Sequence, residues 1–477
     1  MRFRCAKTGR PLVAVSVLLS FFLAPAAFAA GLKAGVAKIV ITPKTPLKLT
    51  AGKLDDGTML EMDGVDHDIH ARALVLDDGV KKLVIITHDL SSAGIITPIL
   101  RKRCRDELGL EPSQVIIVST HNHQAPMPRW EANFPYLRET GHAIFEMVKR
   151  AIAGEKGPVK VEFGFGPGYW LRSAGNAPVD YEIQVLRVSY GNTPLAILFN
   201  QPAHPLMNSR TKIGVGHPGY AMDEIERALP GAQAMYGDAC GGNQFPIPPD
   251  GRSKMYEQND QPRQLGIILA KAVLQILKTR MIEVTGPLST SLEILPLPLS
   301  KPISYEEVKK LAGDMPRDIG YDHDKHRGTN WLRALLRYYE QDIPFPAKTT
   351  DMFLHEQGYF VRKFDEPREY PNQIEQVIVA RIGLLPLVAL QGEVVAPIGA
   401  RIKDNFRTRM PIMLFAYMGE QEVYIPTREL VRLDDYQSRV IRIQYASPVG
   451  WAPEVEDETV SQVTRMVSSI MGIAPKP

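Results

Sequence analysis

Val115-Ile116-Ile117-Val118-Ser119-Thr120-His121-Asn122-His123-Gln124-Ala125-Pro126 decides how the chain is read. Its first four residues are β-branched and apolar, the pattern of a short strand buried on both faces. The polar run that follows lies where an α/β sheet gathers functional groups, just beyond the carboxyl end of a strand. If the backbone stays extended, His121 and His123 point to the same side, because the side-chain period of a strand is two. Neutral imidazoles so placed suit zinc. An H-x-H pair alone equally fits a hydrogen-bonding pair in a polar loop.

Working outward, residues 34–43 read as a strand ended by Pro43, and residues 68–76 and 82–87 as strands around the turn Asp77-Asp78-Gly79. Helical patterns cover 95–108 and 136–153, on either side of the 115–118 strand. Downstream, 182–188 and 195–199 are strand-like, and 220–229 and 264–278 helical. The proline- and leucine-rich stretch 286–303 reads as a crossing, 304–345 as mostly helical and charged, and 377–382, 386–390 and 411–417 as strands again. Strand, helix, strand, helix predicts an α/β fold. Its mixed sheets with flanking helices would form one composite domain over 31–477, with the site at strand ends. Residues 31–290 would be the main α/β part, and 291–477 a helical insertion and the strands that complete the site.

The N-terminus reads as an export signal. Arg2, Arg4, Lys7 and Arg10 precede an apolar run over 12–23, and Ala27-Phe28-Ala29 fits a small-x-small cleavage site. The run is short of the roughly 20 apolar residues a membrane-spanning helix needs. The expected location of the mature chain is therefore secreted or periplasmic. Removing residues 1–30 takes away four basic and no acidic residues, so the formal net charge of +3 falls by four to −1. That leaves no basic stripe for nucleic acid. With 44% hydrophobic and 23% charged residues the chain is long enough, and apolar enough, to bury a large core. Beyond the signal two cysteines remain, Cys104 and Cys240, which an exported protein can bridge. Without a C-x-x-C spacing they do not suggest a thiolate zinc site.

Five more segments carry chemistry-bearing residues, most of them just after strands. Asn200-Gln201-Pro202-Ala203-His204-Pro205 follows the 195–199 strand, and Gly216-His217-Pro218-Gly219-Tyr220 opens a helix. A glycine-rich turn runs from Gly237-Asp238-Ala239-Cys240 to Gly241-Gly242-Asn243-Gln244-Phe245; it lacks the Gly-Lys-Ser/Thr ending of a phosphate-binding loop. Leu390-Gln391-Gly392-Glu393 puts a carboxylate after a strand, and Tyr417 through Thr427 carries Tyr424 in a loop-to-strand turn. Each alone is unremarkable.

Taken in order, these segments resemble the neutral/alkaline (non-lysosomal) ceramidase family. Residues 34–43 match its A-G-V-x-x-x-x-I-T-P strand, and 119–126 match its S-T-H-T-H-S-G-P with three changes. The lone histidine, the P-G-Y segment, a P-G-E-like segment and a G-Y-[IV]-P-T-like segment follow in family order, over about 34–436. The resemblance implies a zinc ion held by His121, His204, Glu393 and Tyr424. It implies His123 as general acid/base, Arg172 of the Arg172-Ser173 motif as a substrate contact, and Tyr436, twelve residues after Tyr424, as a second active-site tyrosine. It also implies hydrolysis of the amide of a small amphipathic N-acyl substrate, with transient contact to a membrane surface.

Departures from the family pattern are specific. Asn122, Gln124 and Ala125 replace threonine, serine and glycine, and His217 stands where an acidic residue is common. The family's G-D-x-S-P-N serine has no counterpart in either half of the glycine-rich turn. The chain stops about forty residues after Tyr436, so no C-terminal immunoglobulin-like domain is expected. Two other readings stay open: a metal-dependent ester or lactone hydrolase on the same scaffold, and a non-catalytic envelope protein that kept the fold. Asp322-His323-Asp324-Lys325-His326 reads as a solvated charged face rather than a metal site.

Overall fold

The computed structural model describes residues 31–54, 58–251, 256–314, 329–342, 372–420, 423–445 and 447–474. The export-signal reading of 1–30 and the 322–326 segment lie outside them. In chain order the principal elements are β1 (Lys33–Val40), β2 (His70–Asp77), β3 (Lys82–His88), α1 (Ile96–Leu108), β4 (Val115–Ser119), α2 (Phe134–Ala153), β5 (Val159–Pro167), β6 (Glu182–Tyr190), β7 (Thr193–Asn200), α3 (Gly216–Ala228), β8 (Gln233–Tyr236), α4 (Gln261–Ile276) and β9 (Ile282–Glu283). Then come β10 (Leu288–Pro298), α5 (Tyr305–Ala312), α6 (Asn330–Glu340), β11 (Asn372–Ile382), β12 (Leu385–Gln391), α7 (Ala396–Asp404), β13 (Met413–Met418), α8 (Tyr436–Ile443) and α9 (Val455–Met471).

Eight strands form one mixed sheet in the order β1-β2-β3-β4-β13-β12-β11-β10, and five form a second in the order β8-β7-β6-β5-β9. Alternation along the strands explains how the two sheets stack. In β4, Ile116 and Val118 join a core shared with Phe163, Leu186, Leu198 and Met235 of the second sheet. Val115 and Ile117 face the other way, onto Ile96 and Leu100 of α1 and Phe145 and Val148 of α2. The far half of the large sheet is covered by Ile398 and Ile402 of α7 and Val463 and Val467 of α9. The outer face of the second sheet lies under Met222 and Ile225 of α3 and Leu269 and Val273 of α4. The result is helices, sheet, sheet, helices: an α/β fold in four layers. A period of two that feeds two different cores leaves every residue of β4 buried, which is why its sequence is continuously apolar.

Local chemistry sets the turns. Asp77 Oδ1 accepts the Gly79 amide at 2.8 Å and Asp78 Oδ1 the Val80 amide at 2.9 Å, closing the β2–β3 hairpin as an Asx-type turn. The 286–303 stretch, expected as a crossing, instead supplies β10, an eleven-residue edge strand paired along its length with β11. An edge position explains how Pro296 and Pro298 are tolerated there. Cys104 and Cys240 are both free and buried, in separate cores, so the bridge open to them is not made. Among the described residues no helix is long and apolar enough to cross a membrane.

Candidate metal centre

Four strand ends converge on one point. His121 follows β4, His204 follows β7, Asp238 follows β8 and Glu393 follows β12. Backbone bonds lock these ends together: the Asp238 amide donates to Ser119 O at 3.0 Å, and the Ala416 amide to Asp238 O at 3.0 Å. The His204 amide donates to Gln244 O at 2.9 Å.

His121 does not lie in extended backbone. Its φ is 51°, the left-handed region, so the pleat argument for His121 and His123 fails at this residue. The two rings meet all the same, through the kink, with Nε2 atoms 3.1 Å apart and ring centroids at 4.6 Å. The changed residues of the motif hold that kink. Asn122 Nδ2 donates to Asp89 O at 3.1 Å and Gly214 O at 2.7 Å, and its Oδ1 accepts the Gln124 amide at 3.0 Å. Gln124 Oε1 in turn accepts the Asn208 amide at 3.2 Å.

Both inner histidines are oriented the same way. His121 Nδ1 faces Ser91 O at 3.1 Å, and His204 Nδ1 faces Gly241 O at 3.0 Å. A carbonyl only accepts, so each Nδ1 carries the hydrogen, and in the uncharged ring each Nε2 presents a lone pair. Those lone pairs point at an acceptor. Glu393 Oε2 is 3.2 Å from His121 Nε2 and 3.0 Å from His204 Nε2, and the three donor atoms lie within 4.8 Å of one another. Three electron pairs facing one another in a buried site repel unless a cation stands between them. The donor set therefore fits a metal ion, with two imidazole nitrogens and one carboxylate oxygen.

Glu393 and Tyr424 arrive together because residues 393–394 and 424–425 form a two-residue parallel pair in which they are register partners. Gly392 makes this approach possible: its φ is 87°, and a Cβ there would lie 2.4 Å from Val423 O. Tyr424 Oη sits 3.1 Å from His204 Nε2. Burial would raise the Glu393 carboxyl, yet positive charge at the His121 and His204 ring edges holds it well below the usual carboxylate range; with both rings neutral, a bound cation would have to supply that charge. Burial, then the Glu393 charge, pushes the Tyr424 phenol well above its ordinary value. Burial, with positive charge at the His121 and His204 sites behind it, holds His123 well below the ordinary imidazole value, so its ring is uncharged at neutral pH.

The outer residues are placed differently. Tyr436, 40% exposed at the start of α8, has its ring centroid 6.1 Å from that of Tyr424 and accepts from Gln444 Nε2 at 2.7 Å. Arg172 is one ring removed from His204: its guanidinium lies 5.2 Å from the Phe245 ring, which stacks on His204 at 5.1 Å. Contacts thus link His123 to His121, both inner histidines to Glu393, and His204 to Tyr424, whereas Tyr436 adjoins this group at the Tyr424 ring and Arg172 borders it through the ring of Phe245.

Three site features had no role assigned from sequence. The Tyr417 ring lies 4.3 Å from that of His121, at a residue whose own φ is 54°. Tyr256 Oη is 3.0 Å from His123 Nδ1. Buried Asp238 accepts from Tyr236 Oη at 3.0 Å behind His121, and its carboxyl is pushed well up, chiefly by burial. His217 proves to be a staple: its Nδ1 accepts the Leu206 amide at 2.8 Å while its own amide donates to Leu206 O at 3.0 Å. Burial pushes its ring down to about 3, so it stays neutral.

The glycine-rich turn serves backbone packing. A Cβ on Gly242 would lie 2.4 Å from Glu393 O, and Asn243 Oδ1 accepts the Ala396 amide at 2.9 Å. Cys240 packs against Gly399 of α7, and burial raises its thiol well above the ordinary value, the opposite of an activated nucleophile.

No family model matches the chain, and a search of curated proteins finds no match. Among solved structures, the neutral ceramidase from Pseudomonas aeruginosa superposes with a TM-score of 0.66 at 16% identity, over 94% of this chain and 76% of that one. A ceramidase complexed with C2 superposes with a TM-score of 0.65, again at 16% identity, over 94% and 76% of the two chains. The chain is therefore an α/β protein with a buried centre fit for a metal. Its particular fold is that of the neutral ceramidases, as the ordered motifs implied.

Proposed function

We propose that the chain is a zinc-dependent hydrolase that cleaves the amide of an amphipathic N-acyl substrate, exported by way of residues 1–30. The observation that carries this reading is the convergence of two imidazole lone pairs and a carboxylate, with a neutral imidazole 3.1 Å away, inside a neutral ceramidase-like fold. His121, His204, Glu393 and Tyr424 would hold the ion, and when bound it supplies the Lewis acidity that makes water a nucleophile near neutral pH. His123 takes the proton of the attacking water at Nε2 and returns it to the leaving amine. Arg172 and Tyr436, on the open side, bind the acyl group and steady the charge that grows on its oxygen. No side-chain nucleophile is needed, in keeping with the buried Cys240.

The test is metal analysis of the purified mature protein, joined to a panel of amide, ester and lactone substrates that includes a short-chain N-acyl sphingosine. One zinc per chain with chelator-sensitive amide cleavage supports the reading. Zinc with ester or lactone cleavage alone moves the substrate class, and an inert, metal-free protein overturns it. N-terminal sequencing that finds Met1 retained removes export.

A further inference from the structure

We infer that Tyr256 is a positioning residue for His123: its hydroxyl pairs with Nδ1 and so aims Nε2 at the metal-facing cluster. This inference rests on the acid/base role proposed for His123. The Oη–Nδ1 distance is 3.0 Å, and the opposite ring nitrogen lies 3.1 Å from His121 Nε2. An imidazole gripped at Nδ1 has only one edge left for chemistry. Where inner His121 and His204 have backbone carbonyls at this position, His123 has a hydroxyl. A carbonyl accepts only, which fixes one tautomer. A hydroxyl donates or accepts, so it stays paired whether Nδ1 carries a hydrogen or not. That is what a ring that must gain and lose a proton requires of its partner, and what a permanent ligand does not.

Tyr256 is itself built into place. Its φ of 70° is unusual for a bulky residue, and its amide donates to Met207 O at 3.0 Å. The Arg210 guanidinium lies 4.4 Å from the centre of its ring, and Arg210 Nη1 donates to Ala51 O at 3.1 Å. The Ala51 amide donates to His123 O at 2.7 Å, and the His123 amide to Met207 Sδ at 3.1 Å. The contacts close a circuit that begins and ends on His123. Burial pushes the phenol up to about 12, so the hydroxyl keeps its hydrogen throughout the neutral range.

The experiment is a double-mutant cycle of Tyr256→Phe and His123→Ala, read on a short-chain N-acyl sphingosine, with zinc content and thermal unfolding recorded for each variant. Loss of one hydrogen bond in the transition state corresponds to about tenfold in rate. Tyr256→Phe is expected to lower kcat by about that factor, with KM, zinc content and Tm near those of the parent. In the His123→Ala background it is expected to do nothing further. Histidine 15N spectra, with the His123 signals assigned by their loss in His123→Ala, should shift in Tyr256→Phe. Unchanged kcat and spectrum in Tyr256→Phe, with His123→Ala still impaired, overturns the inference alone. So does the same factor lost in both backgrounds. Full activity in His123→Ala overturns the acid/base reading and the inference with it.

Discussion

The inner and outer halves of the centre are held by different means. His121 and His204 are 2% and 4% exposed, and each Nδ1 is pinned to a main-chain carbonyl of a loop that the sheet itself fixes. His123, Arg172 and Tyr436 are held by side chains: a tyrosine hydroxyl, a phenylalanine face and a glutamine amide. Backbone partners survive substitution anywhere except at the ligand, so the inner half is a property of the fold. Side-chain partners change with the sequence, so the outer half can differ between chains that share the fold at 16% identity. Metal binding should therefore depend on the inner half, and substrate choice and rate on the outer.

The largest expected effect breaks the inner half. Glu393→Ala and His204→Ala should each reduce zinc to background and abolish turnover, measured by elemental analysis of purified variants and by substrate assay. Full zinc in both would place the ion elsewhere. Next, His123→Ala should keep its zinc and lose about 10²–10⁴ in kcat, the usual contribution of a general acid/base. If it loses zinc while His121→Ala retains it, the two halves are divided at the wrong histidine.

How much of this was legible follows the same division. Strand-then-histidine patterns marked His121, His123 and His204 locally, but a kink and not the pleat brings the first pair together: His121 turns into left-handed backbone. Glu393 and Tyr424 gained meaning only from the order of the motifs, because what joins them is a two-residue parallel pair across thirty-one positions of sequence. Tyr256 carried no signal. It reaches His123 across 133 residues, and no local pattern announces that. The four-layer stacking was hidden for a related reason. A run buried on both faces reads the same whether helices or a second sheet cover it, so β4 announced a covered sheet but not its cover.

Smaller effects sharpen the comparison. His217→Leu removes the acceptor for the Leu206 amide two residues past His204, and should lower stability by about 1–3 kcal/mol in denaturant unfolding with zinc still bound. No loss would mean that the loop holds itself. At the surface, His67 Nε2 lies 2.7 Å from Asp223 Oδ2, and that bond raises the His67 pKa above its ordinary value. A raised folded value means the pair's stabilisation is complete below the unfolded value near 6.5 and lost as pH rises through the folded one. Asp223 is 45% exposed, so solvent screens the pair. Asp223→Asn should destabilise by about 0.2–1 kcal/mol near pH 5.5 and by nothing measurable near pH 9. The reverse order in unfolding experiments at the two pH values would contradict the assignment.

X-ray absorption at the zinc edge of the purified wild-type protein tests the central claim most directly. The account predicts bound zinc with only nitrogen and oxygen neighbours at about 2.0–2.2 Å and an imidazole outer-shell pattern for two rings. Sulfur at about 2.3 Å would bring Cys240 into the centre, and zinc absent from active protein would remove the metal from it; either result contradicts the account.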